Sequence, residues 1–187
     1  MHDEIVKALE VLKNGGVILY PTDTVWGIGC DATNEAAVNK VFEIKNRPQN
    51  KSFVVLADTE MRVEQYFKEV PEVAWQLFET ADRPLTVILN NPINIAPSAI
   101  APDNSVGFRI CQDMFCKKLI QQFKRPIVST SANISGAPTP LKFDEISKDI
   151  LGAVDYVVNL RQEEQTKAKP SSIVKLGVNG EIRIIRK

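Results

Sequence analysis

The chain has 187 residues, 44% of them hydrophobic and 25% charged, and its 23 Lys plus Arg balance 23 Asp plus Glu. One globular domain over residues 1–187 is expected, and with no global field the chain is not a bulk polyanion binder, although a local basic cleft remains open. No apolar run approaches bilayer-spanning length and the opening MHDEIVKALEVLKNGG has no signal-peptide core, which argues against a membrane role and for the cytoplasm.

In chain order, Ile5, Leu9 and Leu12 recur at helical spacing behind Asp3 as a candidate cap, and Asn14-Gly15-Gly16 stops that helix. VILYP reads as a buried strand. Asn34 caps a helix through EAAVNKVFEIKN, with Ala37, Val41 and Ile44 on one face and Pro48 just beyond its end. FVVLA follows as a strand, then helical patterns at 59–68 and 71–81, then strand LTVIL. SVGFRI precedes a helix at 113–123, PIVST is the next strand, and a short helix near 143–150 leads to DYVVNL, SSIVKL and EIRIIR. This mixed order predicts an α/β fold, an open twisted sheet with parallel and antiparallel strands and flanking helices. The polar stretch RQEEQTKAKP at 161–170 reads as a mobile surface loop.

Cys30, Cys111 and Cys116 form no CxxC pair and read as buried free thiols. His2 is the only histidine, which removes Ser-His and Cys-His nucleophile systems and any His-based zinc site.

Four stretches depart from simple core building. YPTDTVWGIGCD, residues 20–31, runs a strand into hydroxyls, an acid and two glycines; its structural reading is a strand end turned by Gly27 and Gly29, with Thr22 and Asp23 bonding local backbone. KNRPQNK sets Lys45, Arg47 and Lys51 around a helix C-terminus, where cations also complement the dipole. Arg109 interrupts an apolar strand, the pattern of a side chain facing water. VSTSANISG, residues 128–136, concentrates short hydroxyl and amide side chains with no charge, the usual make-up of a self-bonded turn. Together they suit an anion. Each adjoins a strand, where open α/β sheets place ligands, and hydroxyls with N–H groups wrap phosphate oxygens while Lys and Arg neutralise them. Neither GxxxxGK[ST] nor GxGxxG occurs, so a nucleotide would be held by another scheme.

YPTDTVWGIGCD, KNRPQNKS, SVGFRI and STSANISG, in that order, resemble the YrdC-like threonylcarbamoyl-AMP synthases in their short, single-domain form, with similarity from about Gly15 to Arg186. The resemblance implies a twisted mixed sheet with a deep, positively charged cavity. It also implies a nucleotidyltransferase that joins L-threonine, bicarbonate and ATP into threonylcarbamoyl-AMP and releases pyrophosphate. By the same resemblance the product serves threonylcarbamoylation of adenosine in tRNAs that read codons beginning with A, so downstream tRNA threonylcarbamoyl-transfer proteins are expected partners and a weak RNA or tRNA contact is a further expectation.

The family's amino-acid site maps onto Thr24, Arg109, Ser129 and Ser172. Its ATP site maps onto Arg47, Lys51, Ser105, Ser131, Asn133, Thr139 and Arg186, and Lys45, Arg47 and Lys51 form the charged catalytic set. Trp26 stands where Tyr is commoner, Ser52-Phe53 replaces a common Pro-Leu, Leu56 sits where many long-form members have His, and Asn90 stands where Lys or Arg is frequent.

The chemistry is compatible with a site lacking histidine. Threonine's amine takes up CO2 as a carbamate, already an oxygen nucleophile, so the reaction asks for alignment of two anions and for charge stabilisation on the phosphates. Mg2+ is expected mainly on phosphate oxygens and water, with no metal ligand assigned in the protein. Two rival readings are an RNA-binding module of the same fold and a carbamoyl-transfer domain similar to that of hydrogenase-maturation proteins.

Overall fold

The computed structural model describes residues 1–48, 52–164, 169–177 and 180–187. The helices are α1 (His2–Lys13), α2 (Glu35–Lys45), α3 (Glu60–Glu64), α4 (Glu72–Thr80), α5 (Met114–Phe123) and α6 (Lys148–Ala153). The strands are β1 (Ile18–Tyr20), β2 (Gly27–Gly29), β3 (Val54–Ala57), β4 (Leu85–Asn90), β5 (Ser105–Ile110), β6 (Ile127–Ser131), β7 (Tyr156–Val157), β8 (Ser172–Leu176) and β9 (Ile182–Arg186). They form one sheet in the order β7-β1-β2-β6-β3-β5-β4-β8-β9. The pairs β1/β7, β3/β5 and β4/β8 are parallel and the rest antiparallel, so the mixed open sheet expected from the element order is the one observed.

Alternation along the strands gives the sheet two unlike faces. One is apolar throughout: Leu19, Ile28, Val55, Ala57, Val87, Leu89, Val106, Phe108, Val128, Val174 and Leu176 join one buried cluster with Ala37, Val38, Val41 and Phe42 of α2. The other face is covered only in part. There Ile18, Tyr20, Leu56 and Ile127 pack against Ile5, Ala8 and Leu12 of α1 and Phe115, Leu119 and Ile120 of α5, and the two helices pack on each other. Beyond them, the same face carries Gly107, Arg109, Thr86, Ile88, Ser129 and Ile173, and no described helix lines this part.

Local signals explain most boundaries. Asn34 caps α2 by accepting from Ala37 N at 3.1 Å, and Asn46 ends it in the left-handed region at φ 48°. Three expectations need correction. Asp3 is not the cap of α1: the helix starts at His2, and Asp3 sits in its first turn, where an acid favours the dipole. The helix expected near 143–150 is split into a 3-10 turn at Phe143–Glu145 and α6, capped by Ser147. Gly27 and Gly29 do not turn a strand end; they belong to β2, between β1 and β6. A Cβ at Gly29 would lie 2.5 Å from Val128 O and 2.6 Å from a Tyr20 ring carbon, so only glycine lets the Tyr20 ring cross this strand.

Of the polar stretch at 161–170, residues 165–168 lie outside the described set. Its first residue is anchored, because Arg161 pairs with Asp113 at 2.9 Å and donates to Thr22 O at 3.3 Å. All three cysteines are buried and free. No helix among the described residues is long and apolar enough to cross a membrane.

Candidate active site

The uncovered part of the second face is a cavity of about 280 Å3. Six expected site residues share its wall: Thr24, Arg47, Arg109, Ser129, Ser131 and Thr139; Arg186 closes it from β9. Three described residues, Lys45, Asn133 and Ser105, stand elsewhere. Lys45 lies behind the wall, and Asn133 turns its amide to the carbonyls of Ile134 and Ala137 at 3.0 and 2.8 Å. Ser105 shares the cavity face of β5 but lies further along it, donating to Asp103 at 2.6 Å. Lys51 lies outside the described residues.

Ser172 also misses the wall, and its neighbour Ser171 takes the place expected of it. Strand alternation explains the exchange: Val174 and Leu176 face the core, so Ile173 and Ser171 face the cavity. Counting back from that apolar pair would have found Ser171 in PSSIV. Thr86, Trp26 and Ser52 also line the cavity and were not singled out as binding residues. Thr86 carries a weak signal, a hydroxyl on the opposite parity from Val87 and Leu89.

Arg109 is the central group. It is 4% exposed, so it does not face water as its flanking pattern suggests. Its Nη2 lies 3.2 Å from Asp23 Oδ1, outside good hydrogen-bond geometry, and Nε and Nη2 have no hydrogen-bond partner. Asp23 is held from its other oxygen by Gln112 N at 2.9 Å. Buried guanidinium N–H groups left without acceptors are costly, and an oxyanion in the cavity would satisfy them.

The remaining cations are braced by backbone. Arg47 donates to Ser52 O at 2.8 Å and lies 5.0 Å from the Phe53 ring centroid, and burial lowers its pKa. Arg186 donates to Ser171 O at 2.9 Å and Ser171 Oγ at 3.3 Å, which in turn meets Thr86 Oγ1 at 2.9 Å. Burial, and then the charge of Arg109, lowers the Arg186 pKa. No carboxylate lines the cavity among the described residues, so its walls present positive charge and neutral hydroxyls.

Hydroxyl protons can be assigned at one point. Thr22 Oγ1 donates to Val25 O at 2.8 Å and accepts from Thr24 N at 3.0 Å; its proton is then used, so at 3.0 Å it accepts from Thr24 Oγ1. Thr24 therefore offers lone pairs to the cavity, an acceptor suited to an amine N–H. Donors for an anion and an acceptor for an amine thus sit on one wall.

The family model described as Telomere recombination, for Sua5, YciO and YrdC proteins, matches residues 10–187. The chain is 36% identical over 179 residues to a putative threonylcarbamoyl-AMP synthase of Methanocaldococcus jannaschii, covering 93% of this chain and 83% of that protein. It is 31% identical over 181 residues to a threonylcarbamoyl-AMP synthase of Pseudoalteromonas translucida, covering 95% of each. Among solved structures it is similar to a double variant of P. abyssi Sua5, with TM-score 0.87 and 27% identity over 97% of this chain and 55% of that one. The same protein complexed with L-threonine gives TM-score 0.79 and 28% identity, covering 92% of this chain and 50% of that one. The chain thus spans about half the length of that Sua5 and most of the two synthases. By the extent of these matches, the chain belongs to the Sua5/YciO/YrdC family.

Proposed function

We propose that this chain is a threonylcarbamoyl-AMP synthase, a nucleotidyltransferase that consumes L-threonine, bicarbonate and ATP and releases pyrophosphate. The observation that carries the reading is the buried Arg109 guanidinium, with Nε and Nη2 lacking hydrogen-bond partners, on the same wall as Arg47. Its planar fork suits the threonine carboxylate. Thr24 accepts from the amino-acid nitrogen, and Ser129 and Ser171 supply hydroxyls on that side, Ser171 taking the role first mapped onto Ser172. Arg47 and Arg186, with Lys51, offset the triphosphate, and Ser131 and Thr139 donate to it.

In this arrangement the carbamate oxygen attacks the α-phosphorus and pyrophosphate leaves, with no protein base required. The protein aligns two anions and holds donors where charge builds. We propose that Mg2+ arrives on the phosphates, where it neutralises charge; the hydroxyl-rich wall fits the waters of such an ion better than the ion itself. The product would pass to downstream tRNA threonylcarbamoyl-transfer proteins in the cytoplasm.

Pyrophosphate release is to be measured with ATP and bicarbonate plus either L-threonine or carbamoyl phosphate. Threonine-dependent release with formation of the acyl-adenylate is the expected result. Turnover without threonine, on carbamoyl phosphate, replaces this reading with carbamoyl transfer; no turnover but tight RNA binding replaces it with an RNA-binding module.

A further inference from the structure

Lys45 and Arg47 stand two residues apart and do different things. Arg47 lines the cavity, whereas Lys45 is only 1% exposed. The Lys45 Nζ donates to Ser131 O at 2.5 Å and Asn133 O at 2.6 Å, and its own carbonyl accepts from Ser135 N at 2.7 Å. The last residue of α2 therefore grips the 131–135 loop at three points, immediately behind Ser131, whose side chain lines the cavity.

Both acceptors of this ammonium are carbonyls, not carboxylates. An ammonium has three N–H groups and these carbonyls take two. Its charge thus sits inside the wall without a counter-charge from them, an arrangement that costs free energy unless an anion lies nearby.

We infer that Lys45 is a positioning residue that clamps the 131–135 loop toward the nucleotide, and that its charge is balanced only when an anion occupies the cavity, so nucleotide binding is coupled to its protonation. This rests on the cavity being the ATP site. Burial, and then the charge of Arg47, pulls the Lys45 pKa down to about 8. Arg47 is the charged neighbour that contributes to this shift, while β6 and the 131–135 loop bring no charged side chain. A bound polyanion favours the charged form and raises that pKa, so above about pH 8 binding must draw a proton from solvent, and affinity falls as pH rises. The neutral amine keeps two N–H groups, so the clamp persists and only the charge is lost.

The test is calorimetric titration of the full chain with ATP alone, from neutral to alkaline pH, in buffers of different ionisation enthalpy. Wild type is expected to take up a proton on binding above about pH 8, with affinity falling by up to about tenfold per pH unit. K45M is expected to bind more weakly with no proton uptake, and S131A to bind more weakly but still take up the proton, a separation that a merely structural lysine would not produce. Binding without uptake in wild type overturns the inference even if K45M does not fold, and uptake retained in K45M overturns it too. Failure of ATP to bind at any pH overturns the functional reading itself and this inference with it.

Discussion

On β5, Phe108 and Arg109 are neighbours with opposite fates. Phe108 is fully buried on the covered face, its ring centroid 6.2 Å from that of Tyr66 and 5.4 Å from that of Phe67. Arg109 is almost as buried, yet points into a cavity and has two nitrogens without a hydrogen-bond partner. The covered face shows what holds the sheet together, and the uncovered one what the fold leaves unsatisfied in order to bind. Burial alone does not distinguish core from site. What distinguishes them is whether each polar group finds a partner within the protein.

Substitutions on the two faces should separate accordingly. The largest effect is expected from Phe108→Ala, about 3–5 kcal/mol of stability in denaturant unfolding, with little change in threonine KM for the folded fraction. Next is Arg109→Ala, which removes two charge-assisted contacts and should lower threonine-dependent pyrophosphate release by on the order of a hundredfold, mainly through threonine KM; an unchanged KM would move the amino acid elsewhere. Ser131→Ala should raise ATP KM by roughly tenfold, the loss of one hydrogen bond to a charged group, with the melting temperature nearly constant. Smallest is Asn34→Ala on the covered side, which loses a cap worth about 1 kcal/mol and leaves both KM values alone. If Ser131→Ala destabilised the fold more than Asn34→Ala, the division between the faces would blur.

How legible this was in the sequence varied with the physics of each segment. Helix α2 carried both periodicity and a cap and starts where Asn34 indicates, and α5 lies within the expected 113–123, Asp113 proving to be its cap and not its first residue. Strand β2 was hidden because Gly-Ile-Gly offers one apolar side chain and two residues that normally break strands. Its glycines are explained only by what crosses them, the Tyr20 ring and Val128 carbonyl, a contact between segments about a hundred positions apart. The site was legible as a set of motifs, and Thr24, Arg47, Arg109, Ser129, Ser131 and Thr139 do converge on one wall. The motifs did not say which members face the cavity: Lys45 and Asn133 carry the same motif signature, yet the Lys45 ammonium and the Asn133 amide N–H groups donate to backbone carbonyls. Parity along β8 exchanged Ser172 for Ser171.

The strand order also has a consequence for how occupancy is felt. The cavity takes residues from Thr24 to Arg186, and its floor joins strands as distant in sequence as β4 and β8. A tightly held occupant therefore favours closure of nearly the entire topology, not of one lobe. Saturation at a hundred times the dissociation constant would add about 2.7 kcal/mol against global opening, and amide hydrogens of α1 and β7, which contribute nothing to the cavity wall, would record it as slowed exchange.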